Sequence, residues 1–225
     1  MRMRRKSNLE ERLAACGDMI IYLDRDVLDF SVKDDKNIMD ISAVFGNDNP
    51  VELEIGCGKG QFVRELAKRQ PNTNFLAVEV SSNVIVEAAE NTIADGLTNV
   101  RFLRGNARYL DCFIPAKKVG RIYLNFSCPY PKNTYANHRL TNHEFLAIYE
   151  RLLAEGGEIH QKTDNMHFFE YSLEQFAQYG WGLKNVSLDL HNSGFEGNIM
   201  TEYEKRFTDL GQPIYRLEAF RRSVK

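Results

Sequence analysis

Val51-Glu-Leu-Glu-Ile-Gly-Cys-Gly-Lys-Gly60 is an alternating apolar run that stops at three closely spaced glycines. A helix is expected from Gln61 onward. A strand that ends in a Gly-rich turn and opens a helix leaves backbone N–H groups uncovered and puts no Cβ in the way, so a ligand can approach the main chain closely. The stretch predicts a strand of an open α/β sheet with a binding turn at its carboxyl end. A tight strand-to-helix turn without a ligand has the same local pattern.

Two ligand readings compete. A dinucleotide fingerprint requires G-x-G-x-x-G. Here the glycines are Gly56, Gly58 and Gly60, and Gln61 stands where the third fingerprint glycine belongs. A methyltransferase turn, E/D-x-G-x-G-x-G, requires an acid two residues before the first glycine, and Glu54 supplies it. A second apolar run, Phe75-Leu-Ala-Val-Glu79, ends in an acid 23 positions after Gly56. An acid there is placed to take both hydroxyls of a ribose, a contact that adenosyl cofactors and dinucleotides both need. Paired with the glycine turn, Glu79 reads as a ribose ligand rather than an ordinary exposed strand end.

From Val51 the chain alternates elements. Strands are expected at 51–55, 75–79, 100–104, 121–125 and 157–162, and helices at 61–70, 83–94, 142–154 and 167–179. Segments 184–189 and 214–220 read as a closing hairpin pair. This alternation implies a mostly parallel, seven-stranded sheet covered by helices on both faces. Ligands in such sheets bind at the carboxyl ends of the strands. Positions just past each run are therefore the ones to inspect: Gly56, Glu79, Asn106, 125–132 and 163–165. Thr141-x-x-Glu144 reads as a capping box opening the helix at 142, with Gly156-Gly157 as its stop.

Before Val51 the chain is less legible. Arg2, Arg4, Arg5 and Lys6 form a cationic tail able to bind phosphates. Ser7-Asn-Leu-Glu10 reads as a capping box for a short helix to Cys16. Residues 17–50 are weakly periodic, with loops at Asp34-Asp35-Lys36 and Gly46-Asn-Asp-Asn-Pro50.

The 225 residues are 43% hydrophobic and 27% charged, which is ordinary for one globular domain with extensions. No apolar run approaches the roughly 18 residues that span a membrane, and no apolar signal core follows the basic start. Cys16, Cys57, Cys112 and Cys128 show no C-x-x-C spacing, so neither a metal site nor a disulfide framework is expected, and a reducing cytoplasm fits. A formal charge of −2 argues against indiscriminate nucleic-acid binding but leaves room for a local basic face.

The least usual chemistry follows the fourth strand. Leu124-Asn-Phe-Ser-Cys-Pro-Tyr-Pro-Lys132 packs two prolines, two aromatics, a thiol and a cation into nine residues. The prolines stiffen the loop, and Phe126 and Tyr130 could offer a face to an unpaired base or simply cap the core. The polar stretch Asn133-Thr-Tyr-Ala-Asn-His-Arg139 reads as an exposed loop. In His160-Gln-Lys-Thr-Asp-Asn165, Lys162 and Asp164 reach the ligand edge. Asp164 can accept from the N1 and N2 donors of a guanine, or cap a helix from Met166. Asn192 to Asn198 is a polar loop at the same edge, and Thr201-x-x-Glu204 is a further capping box.

Taken together, these motifs resemble the bacterial tRNA (guanine-N7)-methyltransferase family along the whole chain. The carrying stretches are Glu54-Ile-Gly-Cys-Gly-Lys-Gly-Gln-Phe62, Tyr123-Leu-Asn-Phe-Ser127 with Pro129 to Lys132, His160 to Asn165, and Gly197-Asn-Ile-Met-Thr-Glu-Tyr-Glu204. The resemblance implies a class I, Rossmann-like methyltransferase domain over 51–225. It implies a basic tail, short helix and linker over 1–50 that pack on that core. It further implies methyl transfer from S-adenosylmethionine to N7 of guanine 46 in the tRNA variable loop, by a cytoplasmic monomer or homodimer without metal or membrane. The cofactor would meet Glu54, Gly56, Gly58, Gly60, Glu79, Asn106 and Cys128. Substrate would meet Lys132, Asp164, Thr201, Glu202, Tyr203 and Glu204, and the catalytic positions would be Cys128 and Asp164.

The chain departs from the family at named places. Cys128-Pro129-Tyr130 stands where the family usually has Asp-Pro-Trp, Asn106 replaces a cofactor-side aspartate, and Asn133, Thr134, Tyr135 and Asn137 dilute a basic loop. Guanine N7 carries a lone pair and no proton, so it needs neither a general base nor covalent activation by Cys128. Positioning is then the main demand on the protein. A non-catalytic tRNA-binding relative and a nicotinamide-dependent oxidoreductase are the alternatives. Gln61, and the lack of an evident hydride-site His–Asp pair, count against the second.

Overall fold

The computed structural model describes residues 8–23 and 37–221. The Arg2–Lys6 tail, Ser7 and the Asp34-Asp35-Lys36 loop lie outside the described residues. The strands are β1 (Ile20–Tyr22), β2 (Val51–Ile55), β3 (Asn74–Glu79), β4 (Val100–Arg104), β5 (Val119–Asn125), β6 (Leu153–Thr163), β7 (Trp181–Ser187) and β8 (Tyr215–Arg221). The helices are α1 (Leu9–Ala15), α2 (Ile41–Phe45), α3 (Gln61–Arg69), α4 (Ser82–Ala94), α5 (His143–Leu152), α6 (Met166–Gln178) and α7 (Glu202–Asp209).

One sheet runs β1-β4-β3-β2-β5-β6-β8-β7, parallel from β1 through β6, with β8 antiparallel to β6 and to β7. Among the described residues it has eight strands rather than the expected seven. The additional one is β1, which pairs Ile20 to Tyr22 with Phe102 to Arg104 at the edge. Three residues are too short to show a period of two, so this strand is set by its neighbour and not by its own pattern.

Period-two alternation sorts the strands onto two cores. Leu53 and Ile55 of β2, Leu76 and Val78 of β3, and Ile122 and Leu124 of β5 face α5 and α6, where Phe145, Tyr149, Leu152, Phe169 and Phe176 cover them. Phe75, Ala77, Phe102 and Tyr123 face the other way, against Leu9 and Leu13 of α1, Phe62, Val63 and Leu66 of α3, and Ile85 and Ala89 of α4. Glu52 and Glu54 therefore point to the α3 side, because they alternate with Leu53. The chain order reverses between β2 and β5, the switch point at whose carboxyl ends open α/β sheets form their ligand crevice.

Several local expectations change in tertiary context. Helix α5 is capped by Asn142, which accepts from the Glu144 amide at 3.1 Å. Thr141 is instead buried and hydrogen-bonds the Ser172 hydroxyl at 2.9 Å. Gly156-Gly157 does not stop that helix, because β6 starts directly at Leu153. The pair lies in a bulge, since Val119 pairs with Leu153 and Arg121 already with Glu158. A Cβ at Gly157 would sit 3.0 Å from the Ala154 carbonyl. Helix α1 has Asn8 as its N-cap, without a side-chain hydrogen bond. The segment Asn133–His138 is a 3-10 helix rather than an open loop, and Arg139 after it is buried. Thr201 and Glu204 do form the reciprocal capping box of α7.

Candidate cofactor and substrate site

The glycine turn joins β2 to α3. Gly56, Gly58 and Gly60 have φ of 79°, 55° and 74°, a region that disfavours any Cβ. Both Gly56 and Cys57 donate to the Val78 carbonyl, at 2.9 and 3.0 Å, which locks the turn to β3. At Gly60 space is also decisive: a Cβ would lie 3.0 Å from Ala88 Cβ and 3.3 Å from Phe102 Cζ. Glu79, at the end of β3, accepts from the Gly58 amide at 3.3 Å and from the Ser81 amide at 2.9 Å. Its carboxylate is thereby fixed beside the turn.

Glu54 is 3% exposed beneath this turn. One oxygen accepts from Asn125 Nδ2 at 3.0 Å. Oε2 is buried with no hydrogen-bond partner among the described residues. Burial pushes the Glu54 carboxyl up to about 7, opposed by the Asn125 hydrogen bond, the Lys162 charge and the Val63 amide. A buried carboxylate oxygen without a donor is expensive, and a cationic or N–H-bearing ligand would relieve it.

A cavity of about 600 Å³ beside the end of β3 is lined by Tyr22, Leu23, Val80, Arg104, Gly105, Asn106 and Tyr109. The Asn106 side-chain oxygen accepts from the Arg108 amide at 3.0 Å and caps the following 3-10 turn. Gly105 is required there, because a Cβ would meet Leu23 Cβ at 2.7 Å. The edge strand β1 thus supplies a wall of the cavity, with the Arg104 guanidinium 6.0 Å from the Tyr22 ring centroid. No sequence signal in the weakly periodic 17–50 stretch indicates this role.

Across the crevice, the loop after β5 leaves the sheet at Phe126, whose amide donates to the Lys162 carbonyl at 2.8 Å. Cys128 and Lys132 are exposed on this loop. Phe126 stacks at 6.5 Å on both Tyr203 and Phe207 of α7. At the end of β6, Asn165 and not Asp164 caps α6, accepting from the Phe168 amide at 2.8 Å. The half-exposed Asp164 carboxylate makes no hydrogen bond or ion pair among the described residues, so it is available to a ligand.

The four positions Thr201 to Glu204 are not equivalent. Glu202 and Tyr203 are exposed, whereas Glu204 is 0% exposed. The Glu204 carboxylate accepts from Lys162 Nζ at 2.6 Å and from Asn198 Nδ2 at 2.5 Å, and lies 3.2 Å from His191 Nε2. Lys162 also donates to Asn198 Oδ1 at 3.0 Å and to the Ile199 carbonyl at 2.8 Å. Burial pulls the Lys162 pKa down, and the Glu204 charge and hydrogen bond oppose that. Glu204 therefore acts from inside: it straps the 193–199 loop to β6.

Lower on the same sheet face, Glu158, His160 and Glu218 bring ligating atoms within 4.8 Å of one another, a grouping able to hold a metal ion. Cations already answer these carboxylates: Lys184 pairs with Glu158, and Arg216 pairs with Glu218. Burial of the His160 ring lowers its pKa, with the Glu158 hydrogen bond opposing.

The assembled crevice brings Glu54, Gly56, Gly58, Gly60, Glu79 and Asn106 to one side of the sheet reversal. Cys128, Lys132, Asp164 and Tyr203 stand at the carboxyl ends of β5 and β6 and on α7. The precorrin-6y C5,15-methyltransferase of Geobacter metallireducens superposes with a TM-score of 0.55 over 83% of this chain and 92% of its own, at 17% identity. The fold is thus that of the Rossmann-like methyltransferases. Residues 48–217 match the family model described as "Putative methyltransferase". The tRNA (guanine-N(7)-)-methyltransferase of Geobacillus kaustophilus is 51% identical over 79% of this chain and 82% of its own length. The Listeria monocytogenes protein of the same name is 52% identical over 78% and 82%. The chain belongs to the tRNA (guanine-N7)-methyltransferase family.

Proposed function

We infer that this chain methylates N7 of guanine 46 in the tRNA variable loop, using S-adenosylmethionine as donor. The observation that carries the reading is the 51% identity to the Geobacillus kaustophilus tRNA (guanine-N(7)-)-methyltransferase across four-fifths of both chains. The residues present fit the cofactor. The donor-less Glu54 Oε2 suits an ammonium group, Glu79 beside the glycine turn suits ribose hydroxyls, and Asn106 at the neighbouring cavity suits an adenine edge. When bound, S-adenosylmethionine supplies an electrophilic methyl on a sulfonium sulfur.

The remaining work is done by the chain. Guanine N7 has a free lone pair, so no side chain must remove a proton before attack. Asp164, whose carboxylate is unengaged, accepts from N1–H and N2–H of the base and fixes its orientation. Tyr203, exposed on α7, offers an aromatic ring to the base. Lys132 takes a phosphate. Glu204 does not touch substrate but holds Lys162 and the 193–199 loop, leaving Thr201 to Tyr203 as the contacting positions. Cys128 borders the reacting atoms. Positioning of N7 at about 3–3.5 Å from the carbon it attacks is the dominant contribution.

The test is transfer of labelled methyl from S-adenosylmethionine to a tRNA carrying G46, beside the same tRNA carrying A46. Transfer to the first alone is expected. No transfer to either, with cofactor binding intact, would favour a tRNA-binding protein without catalysis, and Cys128→Asp would then be the variant to assay.

A further inference from the structure

The loop that carries Cys128 and Lys132 cannot hold itself. Pro129 and Pro131 bring no N–H, and no backbone–backbone hydrogen bond anchors residues 127–131 among the described residues. The loop also bends through two non-glycine residues at positive φ, Phe126 at 51° and Tyr130 at 41°. Such conformations persist only where the surroundings over-determine them. At the first bend they do. The Phe126 amide is bound to the Lys162 carbonyl, and its ring is stacked on α7.

At the second bend the partner is Arg139. It is 8% exposed and pairs with no carboxylate among the described residues. Two of its three nitrogens address the loop: Nε donates to the Pro129 carbonyl at 3.0 Å and to the Tyr130 carbonyl at 3.3 Å, and Nη2 donates to the Tyr130 carbonyl at 3.0 Å. The guanidinium lies 4.4 Å from the Tyr171 ring centroid. Tyr171 is braced in turn, because its hydroxyl accepts from Asn142 Nδ2 at 3.0 Å and Asn142 caps α5. A buried cation is costly unless it is fully hydrogen-bonded. A planar fork that also stacks is the property in which arginine differs from lysine. The polar segment 133–139 suggests only a solvated loop, so none of this is visible in the sequence.

We propose that Arg139, seated on Tyr171, is the positioning residue that fixes the Cys128–Lys132 loop and so sets the substrate side of the active site. The proposal rests on the methyltransferase reading above, and its test separates the two. Arg139→Lys keeps the charge and removes the fork. Tyr171→Ala removes the seat, and Tyr171→Phe keeps the ring. Each of the first two variants is expected to lower kcat for tRNA methylation by about tenfold or more. Affinity for S-adenosylmethionine, measured by calorimetry, should fall by clearly less than kcat, because Glu54, Glu79 and Asn106 lie off this loop and Cys128 alone of the expected cofactor contacts lies on it. The double variant should be no worse than the poorer single one, since both remove one clamp. Tyr171→Phe should recover most of the activity lost in Tyr171→Ala.

A second readout does not depend on activity. Cys16 and Cys57 are buried, so in a Cys112→Ser background a fluorophore on exposed Cys128 reports the loop alone. Its anisotropy should fall in Arg139→Lys and Tyr171→Ala. Unchanged anisotropy, or kcat within about twofold of the parent, overturns the clamp. Equal loss of kcat and cofactor affinity also overturns it, by showing a merely structural role. If the parent transfers no methyl at all, the function reading fails and the anisotropy alone decides the clamp.

Discussion

Glu204→Gln separates the two roles open to a residue of the α7 capping box. Glutamine keeps the shape, keeps an acceptor oxygen and still satisfies the capping-box pattern, so it removes only the charge. In the parent, Lys162 and Glu204 are 7% and 0% exposed at the side chain and meet at 2.6 Å. Removing one member of such a pair strands the other, and the usual loss is about 3–5 kcal/mol. The retained hydrogen bonds from Lys162 to Asn198 and Ile199 put the expectation at the lower end, about 3 kcal/mol. For a chain of this size that corresponds to roughly 6–12 °C in melting temperature.

The loss should also depend on pH. Burial already lowers the Lys162 pKa, and Glu204 is the largest opposing influence. Without Glu204 the folded-state pKa falls further below the unfolded value. The unfolded chain then binds more protons across the interval between them, and stability rises with pH through that interval. The deficit of Glu204→Gln relative to the parent should therefore shrink in urea titrations as pH rises toward the ordinary lysine value. Below its melting transition the variant should retain tRNA methylation within about threefold, a loss worth less than 1 kcal/mol. A stability loss below about 1 kcal/mol together with abolished methylation would show that Glu204 meets substrate directly and would refute the strap.

Three further outcomes follow from the crevice. Cofactor affinity should fall by up to about tenfold per pH unit below pH 7, because burial raises the Glu54 carboxyl to about 7 and the protonated form cannot answer an ammonium group. Glu54→Gln should bind more weakly with that pH dependence removed, and a dependence that survives in the variant assigns it to another group. Gly60→Ala should destabilise by about 2–4 kcal/mol, combining positive φ with a 3.0 Å approach to Ala88, whereas Gly58→Ala, with open space at its Cβ, should lose only about 1–2 kcal/mol. Equal losses in denaturant titrations would show that space at Gly60 is not limiting. Tyr22→Ala should weaken adenosine as a competitive inhibitor by about tenfold through the lost wall of the 600 Å³ cavity. Unchanged inhibition would place the base elsewhere.

The alternating run from Val51, the glycines after it and the acids at 54 and 79 were sufficient to specify a strand, a tight turn and its ligand edge, and the alternation of strands and helices beyond them a mostly parallel sheet. These are local properties: side-chain alternation, the absence of a Cβ, and the chain distance between two strand ends. The Thr201–Glu204 capping box belongs with them, because its partners lie three residues apart. Tertiary structure decided what depends on distant partners. Strand β1 exists because Phe102 to Arg104 offer an edge. Asn142 replaced Thr141 as a cap because Ser172 claims the threonine hydroxyl. Glu204 is buried against Lys162, 42 residues earlier, rather than presented at the surface beside Glu202 and Tyr203, because that ammonium is itself shut away from water. Arg139 became a clamp because Tyr171, 32 residues later, folds beneath it. A charged residue in a polar stretch carries no local mark of the partner that will bury it, and only the packed fold assigns that partner.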